Sequence, residues 1–238
     1  MSSKIRLYFS SVIKSELISH LTKEQSYYVK SVMRLNPGDV FSVFNSQGEW
    51  NVKIENYQKK IANIRILKKV RDKENEKDIW LAFSPIKQNP LNFMIQKTTE
   101  LGIQKFIPIL SERTVVKKIN IKRIKKIIVE SSEQSNRISI PAISEIVALK
   151  SFLKSFPQNG RLIFCDINSD NNDLKNILLE KKNGPICILI GPEGDFSEKE
   201  RQLIIEKKEA QSLSLANNIL RAETAAISAA SIVNFELN

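Results

Sequence analysis

The chain of 238 residues contains little cysteine, histidine, glycine or proline. Its two cysteines, Cys165 and Cys187, both lie inside apolar runs, which is typical of small buried side chains. With His20 as the single histidine and no CxxC pair, no zinc site can be assembled from the usual spacings. Seven glycines and eight prolines are too few for long disordered or repetitive stretches. We therefore expect a folded protein without a metal centre or a cysteine nucleophile.

Long hydrophobic runs are also missing. No apolar segment approaches the roughly 20 residues that span a bilayer, and Met1–Arg6 lacks the apolar core of a signal peptide. Hydrophobic residues make up 42% and charged residues 26% of the chain, as in ordinary globular proteins. These features predict a cytoplasmic protein with no membrane partner.

Positive charge is the strongest compositional feature. The net charge of +11 and the pI near 9.6 indicate a polyanionic partner, and nucleic acid is the first candidate. Residues 1–71 hold 13 Lys and Arg against 5 Asp and Glu, so the N-terminal part is predicted to bind phosphates. A second run has seven basic residues in fourteen and no acid, which suits either a solvated helix face or contact with an RNA backbone. Its members are Arg113, Lys117, Lys118, Lys122, Arg123, Lys125 and Lys126.

A domain boundary is indicated at Lys68–Asp78, where nine of eleven residues are charged. Before this exposed linker, Val40–Phe44, Trp50–Ile54 and Ile61–Leu67 have the composition of short strands separated by turns. Several short strands at this spacing suggest a small barrel. We predict one domain over residues 1–71 and a second over residues 72–238.

The second domain has strands that alternate with helices. Helices are predicted at about 92–101, 121–135 and 223–235, and a capping box at Ser197 and Glu200 marks a further helix start. Continuous apolar strands between helices indicate an α/β domain with a mostly parallel sheet covered on both faces. The predicted strands are Ile79–Phe83, Lys105–Leu110, Arg161–Cys165, Ile186–Ile190 and Ser212–Leu215.

Two segments near the C-terminus indicate a small-molecule site. Gly191–Gly194 ends a buried strand in a rigid Gly/Pro turn, and Leu215–Leu220 follows another strand as an apolar loop with two asparagines. In α/β sheets, ligands bind in the crevice beyond the carboxyl ends of the strands. Apolar walls and polar main chain suit a neutral aromatic ring such as adenine.

These segments, with others, resemble the SPOUT methyltransferases and within them the RsmE family of small-subunit ribosomal RNA uridine-N3 methyltransferases. The family pattern is similar to Gly191–Glu200 and to Leu213–Ala225. Further matches are Val32–Asp39, Gln96–Gly102 and Glu133–Arg137. All occur in the family's order and together span nearly the whole chain.

The resemblance implies a PUA-like β-barrel followed by an α/β domain whose C-terminal chain forms a deep trefoil knot. It implies S-adenosylmethionine as cofactor, 16S rRNA or the small ribosomal subunit as partner, and a homodimer. The loop at Asp166 and Ile167 would supply a third wall of the pocket. The residues implied to bind the cofactor are Cys165, Ile190, Gly191, Pro192, Glu193, Gly194, Leu215, Ala216, Asn218, Ile219 and Leu220.

Methyl transfer to N3 of uracil requires positioning and the removal of one proton. We expect Arg137 and Arg221 to stabilise charge on the uracil or a flanking phosphate, and Glu100 or Glu223 to orient them or accept the proton. The residues expected to contact RNA are Arg6, Lys30, Arg34, Lys87 and Lys97. The absence of a well-placed cysteine disfavours methylation at uracil C5.

The chain departs from the family pattern at a few positions. Asp195 and Ala216 stand where the family usually has glycine, Asn218 stands where arginine is common, and Tyr27-Tyr28 occupy a place where histidine is frequent. A methyl group at Ala216 is tolerable if φ is negative. Two alternatives therefore stay open: a knotted methyltransferase for another base or a ribose 2′-hydroxyl, and a non-catalytic RNA-binding assembly factor.

Overall fold

The computed structural model describes residues 5–179 and 183–237. The chain divides into two compact units, Met1–Asn75 with Ser132–Ile140 and Glu76–Ser131 with Pro141–Asn238. Each unit has its own sheet. The sequence predicts a boundary between residues 71 and 72, whereas the division lies after Asn75 and the first unit also takes a segment from the middle of the chain.

The first unit is built on a five-stranded sheet in the order β1-β3-β4-β5-β2. Strands β1 and β3 pair in parallel, and the other neighbouring strands pair antiparallel. Of the described strands, β1 and β2 form the two ends of the ladder. The three strands predicted from alternation are confirmed as β3, β4 and β5. The strand bounds are β1 (Arg6–Tyr8), β2 (Ile18–His20), β3 (Val40–Asn45), β4 (Gly48–Gln58) and β5 (Ile61–Asp72).

Alternation along β4 and β5 builds the core of this unit. Val52 lies opposite Ile66 and Ile54 opposite Ile64, and all four side chains are fully buried. Such cross-strand pairs of β-branched residues are the unit of sheet stabilisation. Helix α1 (Lys23–Tyr27), which begins at a Thr22 capping box, and a π-helical turn (Tyr28–Val32) complete the unit.

A buried ion pair holds residues 132–140 to the first strand. The Arg6 guanidinium donates to both Glu49 carboxylate oxygens, and also to the carbonyls of Glu133 at 3.1 Å and Arg137 at 2.8 Å. The Tyr8 amide donates to the Glu133 carboxylate at 2.9 Å. Burial would raise the pKa of Glu49, but the hydrogen bonds and charge of Arg6 hold it below its usual value.

The linker is shorter than the predicted Lys68–Asp78. Strand β5 continues through Asp72, and the next strand begins at Ile79. Charged side chains are compatible with this extension because residues 68–70 are exposed.

The second unit contains a parallel sheet in the order β12-β10-β11-β6-β7-β8, and β9 also pairs with β7. Every pairing in it is parallel, which confirms the predicted sheet type. Its strands are β6 (Ile79–Phe83), β7 (Lys105–Leu110), β8 (Ala142–Ile143), β9 (Val147–Ala148), β10 (Arg161–Cys165), β11 (Ile186–Ile190) and β12 (Ala210–Leu213). Its helices are α2 (Gln88–Glu100), α3 (Ile121–Gln134), α4 (Leu149–Ser155), α5 (Leu174–Leu179), α6 (Glu198–Ile205) and α7 (Ala222–Glu236). The last three residues of α3 belong to the first unit.

The observed bounds differ from prediction mainly at helix and edge-strand ends. Helix α2 begins at Gln88, four residues before the predicted start. The sequence does not indicate this start because the N-cap residue, Lys87, makes no side-chain capping bond. Strand β12 ends at Leu213, and the Ser214 amide donates to the Asn171 carbonyl at 2.7 Å outside the sheet. The capping box at the start of α6 is confirmed.

The core of the second unit consists of the apolar strands and the helices packed on them. Phe83, Phe106 and Phe164 are among its largest fully buried side chains. Among the described residues, none of the helices has the length and apolar character needed to cross a membrane.

Candidate functional site

Three loops meet at the carboxyl edge of the parallel sheet. They follow β10, β11 and β12, which are neighbours in the strand order. Leu162 pairs with Cys187 and Cys165 with Leu213, so the strands end at similar heights. This is the edge of an α/β sheet where ligands bind.

The loops enclose a cleft of about 650 Å³. Its apolar wall comes largely from Cys165, Ile167, Ile190 and Leu220. The remaining lining residues are Lys87, Pro90, Gly191, Pro192, Glu193, Asp195, Ile219, Arg221, Ala222, Glu223 and Ala225. The cleft is large enough for most of a small cofactor.

A narrower cavity of about 50 Å³ adjoins the cleft and shares four lining residues with it, Cys165, Ile167, Leu220 and Ala225. Leu215, Ala216 and Asn218, which the resemblance assigns to the cofactor, line this second space. Gly194 lines neither. It is exposed, and its carbonyl accepts a hydrogen bond from the Arg113 guanidinium at 2.9 Å.

The turn after β11 has a defined backbone geometry. A Cβ atom added at Gly191 would lie 3.0 Å from the Phe196 ring, so the ring and the turn are in close contact. Asp195 adopts a left-handed φ of 59°, and its carboxylate accepts a bond from the Phe196 amide at 2.7 Å. Asp is one of the few residues that tolerate this conformation. Ala216 keeps a negative φ, so its methyl group introduces no backbone strain.

The loop after β10 is hydrogen-bonded to the end of β12. The Asp166 amide donates to the Leu213 carbonyl at 3.1 Å, and the Asn171 side-chain amide donates to the Ser212 carbonyl at 3.1 Å. With the Ser214 to Asn171 bond, these contacts fix the distance between two of the three cleft walls.

The charged groups of the cleft have both signs. Lys87 and Arg221 are exposed at its edge, and Glu193, Asp195 and Glu223 supply carboxylates. Arg221 is the N-cap residue of α7 and Glu223 lies in its first turn, where the helix dipole favours an acidic side chain. Burial raises the pKa of the Cys165 thiol to about 12, which keeps it protonated.

The structure brings two of the four predicted catalytic residues together at the cleft, Arg221 and Glu223. Glu100 does not line it and instead accepts bonds from Lys97 at 3.0 Å on α2. Arg137 does not line it either. It is buried in the first unit, where its guanidinium donates to the Ser139 hydroxyl at 3.0 Å.

The five residues expected to contact RNA have different environments. Arg6 is only 7% exposed and holds Glu49, which leaves no free face for a phosphate and gives it a structural role. Lys30 and Arg34 are exposed in the first unit, with the Lys30 ammonium 4.8 Å from the Tyr57 ring centroid. Lys87 is exposed at the cleft, whereas Lys97 is paired with Glu100.

Two arginines support the site in a way that the sequence does not indicate, although Arg113 belongs to the basic run. Arg201 of α6 binds the Asp166 carboxylate, and Arg113 binds the turn at Gly194. Their partners are 35 and 81 residues away along the chain, so no local pattern reveals them.

Comparison with known proteins gives independent findings. Residues 73–234 match the RNA methyltransferase domain family, and residues 21–67 match the RNA methyltransferase PUA domain family. The ribosomal RNA small subunit methyltransferase E of Rickettsia conorii is 32% identical over 227 residues, which are 94% of this chain and 92% of that protein. The protein of the same name from Buchnera aphidicola subsp. Acyrthosiphon pisum is 31% identical over 240 residues, which are 93% of this chain and 89% of that protein.

Solved structures are similar over almost the whole chain. The ribosomal RNA small subunit methyltransferase E of Neisseria gonorrhoeae, solved with bound S-adenosyl methionine, has a TM-score of 0.86 at 26% identity and covers 97% and 96% of the two chains. A protein from Legionella pneumophila, solved in complex with the same cofactor, has a TM-score of 0.86 at 28% identity. The match covers 98% of this chain and 97% of that one.

Proposed function

Because this chain belongs to the ribosomal RNA small subunit methyltransferase E family, we propose that it transfers a methyl group from S-adenosylmethionine to N3 of a uridine in 16S rRNA. The observation that supports this most strongly is the cleft at the ends of β10, β11 and β12. Its walls are the segments at Gly191 and Leu220 that carry the family motifs.

The residues of the cleft fit the cofactor in shape and charge. Apolar side chains such as Ile190 and Leu220 can pack on the adenine faces, and loop main chain can bind its edge. The carboxylates of Glu193 and Asp195 complement positive charge, and Lys87 complements a carboxylate. When bound, the cofactor supplies an electrophilic methyl group.

Arg221 and Glu223 are placed to act on the uracil. Glu223 is half-buried and can accept the N3 proton, while the Arg221 guanidinium can stabilise negative charge on a uracil oxygen. Glu100 and Arg137 have partners of their own, so we assign the chemistry to Arg221 and Glu223 and give the other two supporting roles.

The test uses small subunits purified from a strain that lacks this methyltransferase. The wild-type protein with the cofactor should add one methyl group to one uridine, located by mass mapping of the 16S rRNA. Arg221→Ala should lower the rate about 100-fold, and the control Lys208→Ala, exposed and outside the cleft, should not. Failure of the wild-type protein to bind the cofactor in calorimetry would favour an assembly factor, and methylation of another atom would refute the N3 assignment.

We propose that the chain after β12 is threaded into a deep trefoil knot. Two observations support this. The loop after β10 holds residues 212–214 by hydrogen bonds, and α7 then packs on the central strand β11 and on α2, where a Cβ atom added at Gly102 would lie 3.8 Å from the Asn234 side chain. When the unfolded chain is pulled from both ends, its extended length should fall short of that of a matched unknotted chain.

We further propose a homodimer that acts in the cytoplasm, where its ribosomal substrate is assembled. Phe235, which is 79% exposed, and Ile232 offer apolar surface near the end of α7. Light scattering should give twice the chain mass. Phe235→Glu should lower that mass, whereas the apolar control Phe235→Leu should retain it.

A further inference from the structure

A second cleft of about 390 Å³ lies beside the first turns of α2. Residues 86–92 form one side of it, and the segment from Val116 to Ile124 forms the other. Its full lining is Ile86, Gln88, Leu91, Asn92, Val116, Lys118, Ile119, Asn120, Arg123 and Ile124. The cofactor does not require this space, since the first cleft already holds the family motifs.

The lining of the second cleft has the chemistry of a nucleotide site. Five aliphatic side chains can pack on a base, three amides can pair with polar base edges, and two cations can bind a phosphate. None of the described residues that line it carries a carboxylate, so a phosphate would meet no repulsion from the lining. The two cations are Lys118 and Arg123.

Arg123 is held in place by its neighbours. The geometry assigns the side-chain oxygen of Asn92 to the face toward Arg123, where it accepts from Nε at 3.2 Å and from Nη2 at 3.1 Å. The Asn120 side chain accepts from the Arg123 amide at 3.0 Å and thereby caps the start of α3. The guanidinium is therefore oriented before a ligand arrives, which reduces the entropy lost on binding.

The second cleft adjoins the first along the start of α2. Lys87 and Pro90 line the first cleft, whereas their chain neighbours Ile86, Gln88 and Leu91 line the second. The Arg113 bond to the Gly194 carbonyl also ties the segment that leads to the second cleft to the cofactor turn. An RNA strand that enters the first cleft can thus continue into the second.

We propose that the second cleft binds a nucleotide next to the methylated uridine in the substrate RNA, with Lys118 and Arg123 on its phosphate. This inference rests on the proposed function. It explains two of the seven members of the basic run as parts of a built site. Lys118 and Arg123 face the ligand, and the other five contribute a diffuse field.

The test compares two pairs of substitutions that remove the same charge. Lys118→Gln with Arg123→Gln should raise the KM for small subunits about tenfold, because charged hydrogen bonds to the phosphate are lost, while kcat stays unchanged. Lys125→Gln with Lys126→Gln, exposed on α3 and outside the cleft, should raise it less than about threefold. Cofactor affinity measured by calorimetry should be equal in both, which shows that the second unit is folded.

A second pair fills the cleft without changing charge. Val116→Trp places an indole in the lining and should raise the KM about tenfold, whereas Val115→Trp, at an 83% exposed neighbour outside the lining, should not. If each test variant matches its control while the wild-type enzyme methylates the rRNA, the second site is refuted and the proposed function stands. If the wild-type enzyme itself transfers no methyl group, the proposed function is what fails.

Discussion

The Asp166 carboxylate accepts a hydrogen bond from Nε of the Arg201 guanidinium at 3.0 Å, and the same oxygen forms an ion pair with Nη2 at 2.9 Å. Asp166 directly follows β10, and Arg201 lies in α6 just after the cofactor turn. The Asp166 side chain has no solvent exposure, and its other oxygen accepts from the Asn168 amide at 2.9 Å. The bond to Asp166 raises the pKa of Arg201, as expected for a matched pair. This contact joins two walls of the cofactor cleft.

Removing the Asp166 charge should therefore loosen the cleft. Asp166→Asn retains the acceptor for the Asn168 amide but loses the charged bonds to Arg201. We expect the free energy of unfolding in urea to fall by about 2 kcal/mol and cofactor affinity to fall with it. Gln202→Ala, on the exposed face of the same helix, is the control and should change neither. Equal values for the two variants would show that the pair has no role.

Asp195 allows a test of backbone strain in the cofactor turn. Its φ of 59° is unfavourable for any residue with a Cβ atom, and its carboxylate bond to the Phe196 amide offsets part of that cost. Asp195→Ala and Asp195→Gly both remove the carboxylate, but only alanine keeps the Cβ. Glycine should thus be more stable than alanine by about 1 kcal/mol. Thermal or urea unfolding measures the difference, and equal stability of the two variants would contradict the left-handed geometry.

Glu49 should make the stability of the first unit depend on acid pH. Burial alone would raise the pKa of Glu49, but Arg6 keeps the folded-state pKa below the ordinary value of 4.5. The stabilisation is therefore fully present above pH of about 5 and is lost as the pH falls through the folded-state pKa. Glu49→Gln should be less stable at pH 7 by about 3 kcal/mol, because Arg6 remains buried without its partner.

The same Glu49→Gln protein should lose less further stability between pH 5 and pH 3 than the wild type. Urea unfolding at several pH values gives both curves. Parallel curves would mean that Glu49 does not supply the acid dependence.

Cys165 should be chemically inert despite its place in the cleft. With a pKa of about 12, its thiolate fraction at pH 8 is about one in 10,000. Cys165→Ala should keep methyl transfer within about threefold of the wild-type rate. A loss of about 1,000-fold would indicate covalent chemistry and hence a different target atom. Reaction of the native thiols with a disulfide reagent should also be much slower than reaction of the denatured chain.

The central strands of the parallel sheet could be predicted from the sequence with their observed bounds. β6, β7, β10 and β11 are buried on both faces, so each is a continuous apolar run that ends abruptly. Strands of three residues, β1 and β2, are too short to show alternation. The start of α2 was hidden because Lys87 leaves no capping signal.

The cleft itself could be predicted because its walls are local motifs after strands. The supporting contacts could not, since they join residues distant in sequence. Arg6 illustrates this limit: a basic residue in a strand has the same local sequence whether it binds RNA or, as here, a glutamate 43 positions later. Similarly, the local sequence around Glu100 would be the same whether this residue were a catalytic acid or only the ion-pair partner of Lys97.

The discontinuity of the first unit has a consequence for synthesis on the ribosome. Arg6 leaves the ribosome early, but Glu133 and Arg137, whose carbonyls it binds, are made only after the second unit has begun. At elongation rates of about 5 to 20 residues per second, synthesis of the chain from Asn75 to Ile140 takes roughly 3 to 13 seconds. During that interval the Arg6 guanidinium lacks three of its acceptors, the carbonyls of Ser132, Glu133 and Arg137. A nascent chain halted before residue 132 should therefore be digested by protease within its first 75 residues, and one released after residue 140 should resist.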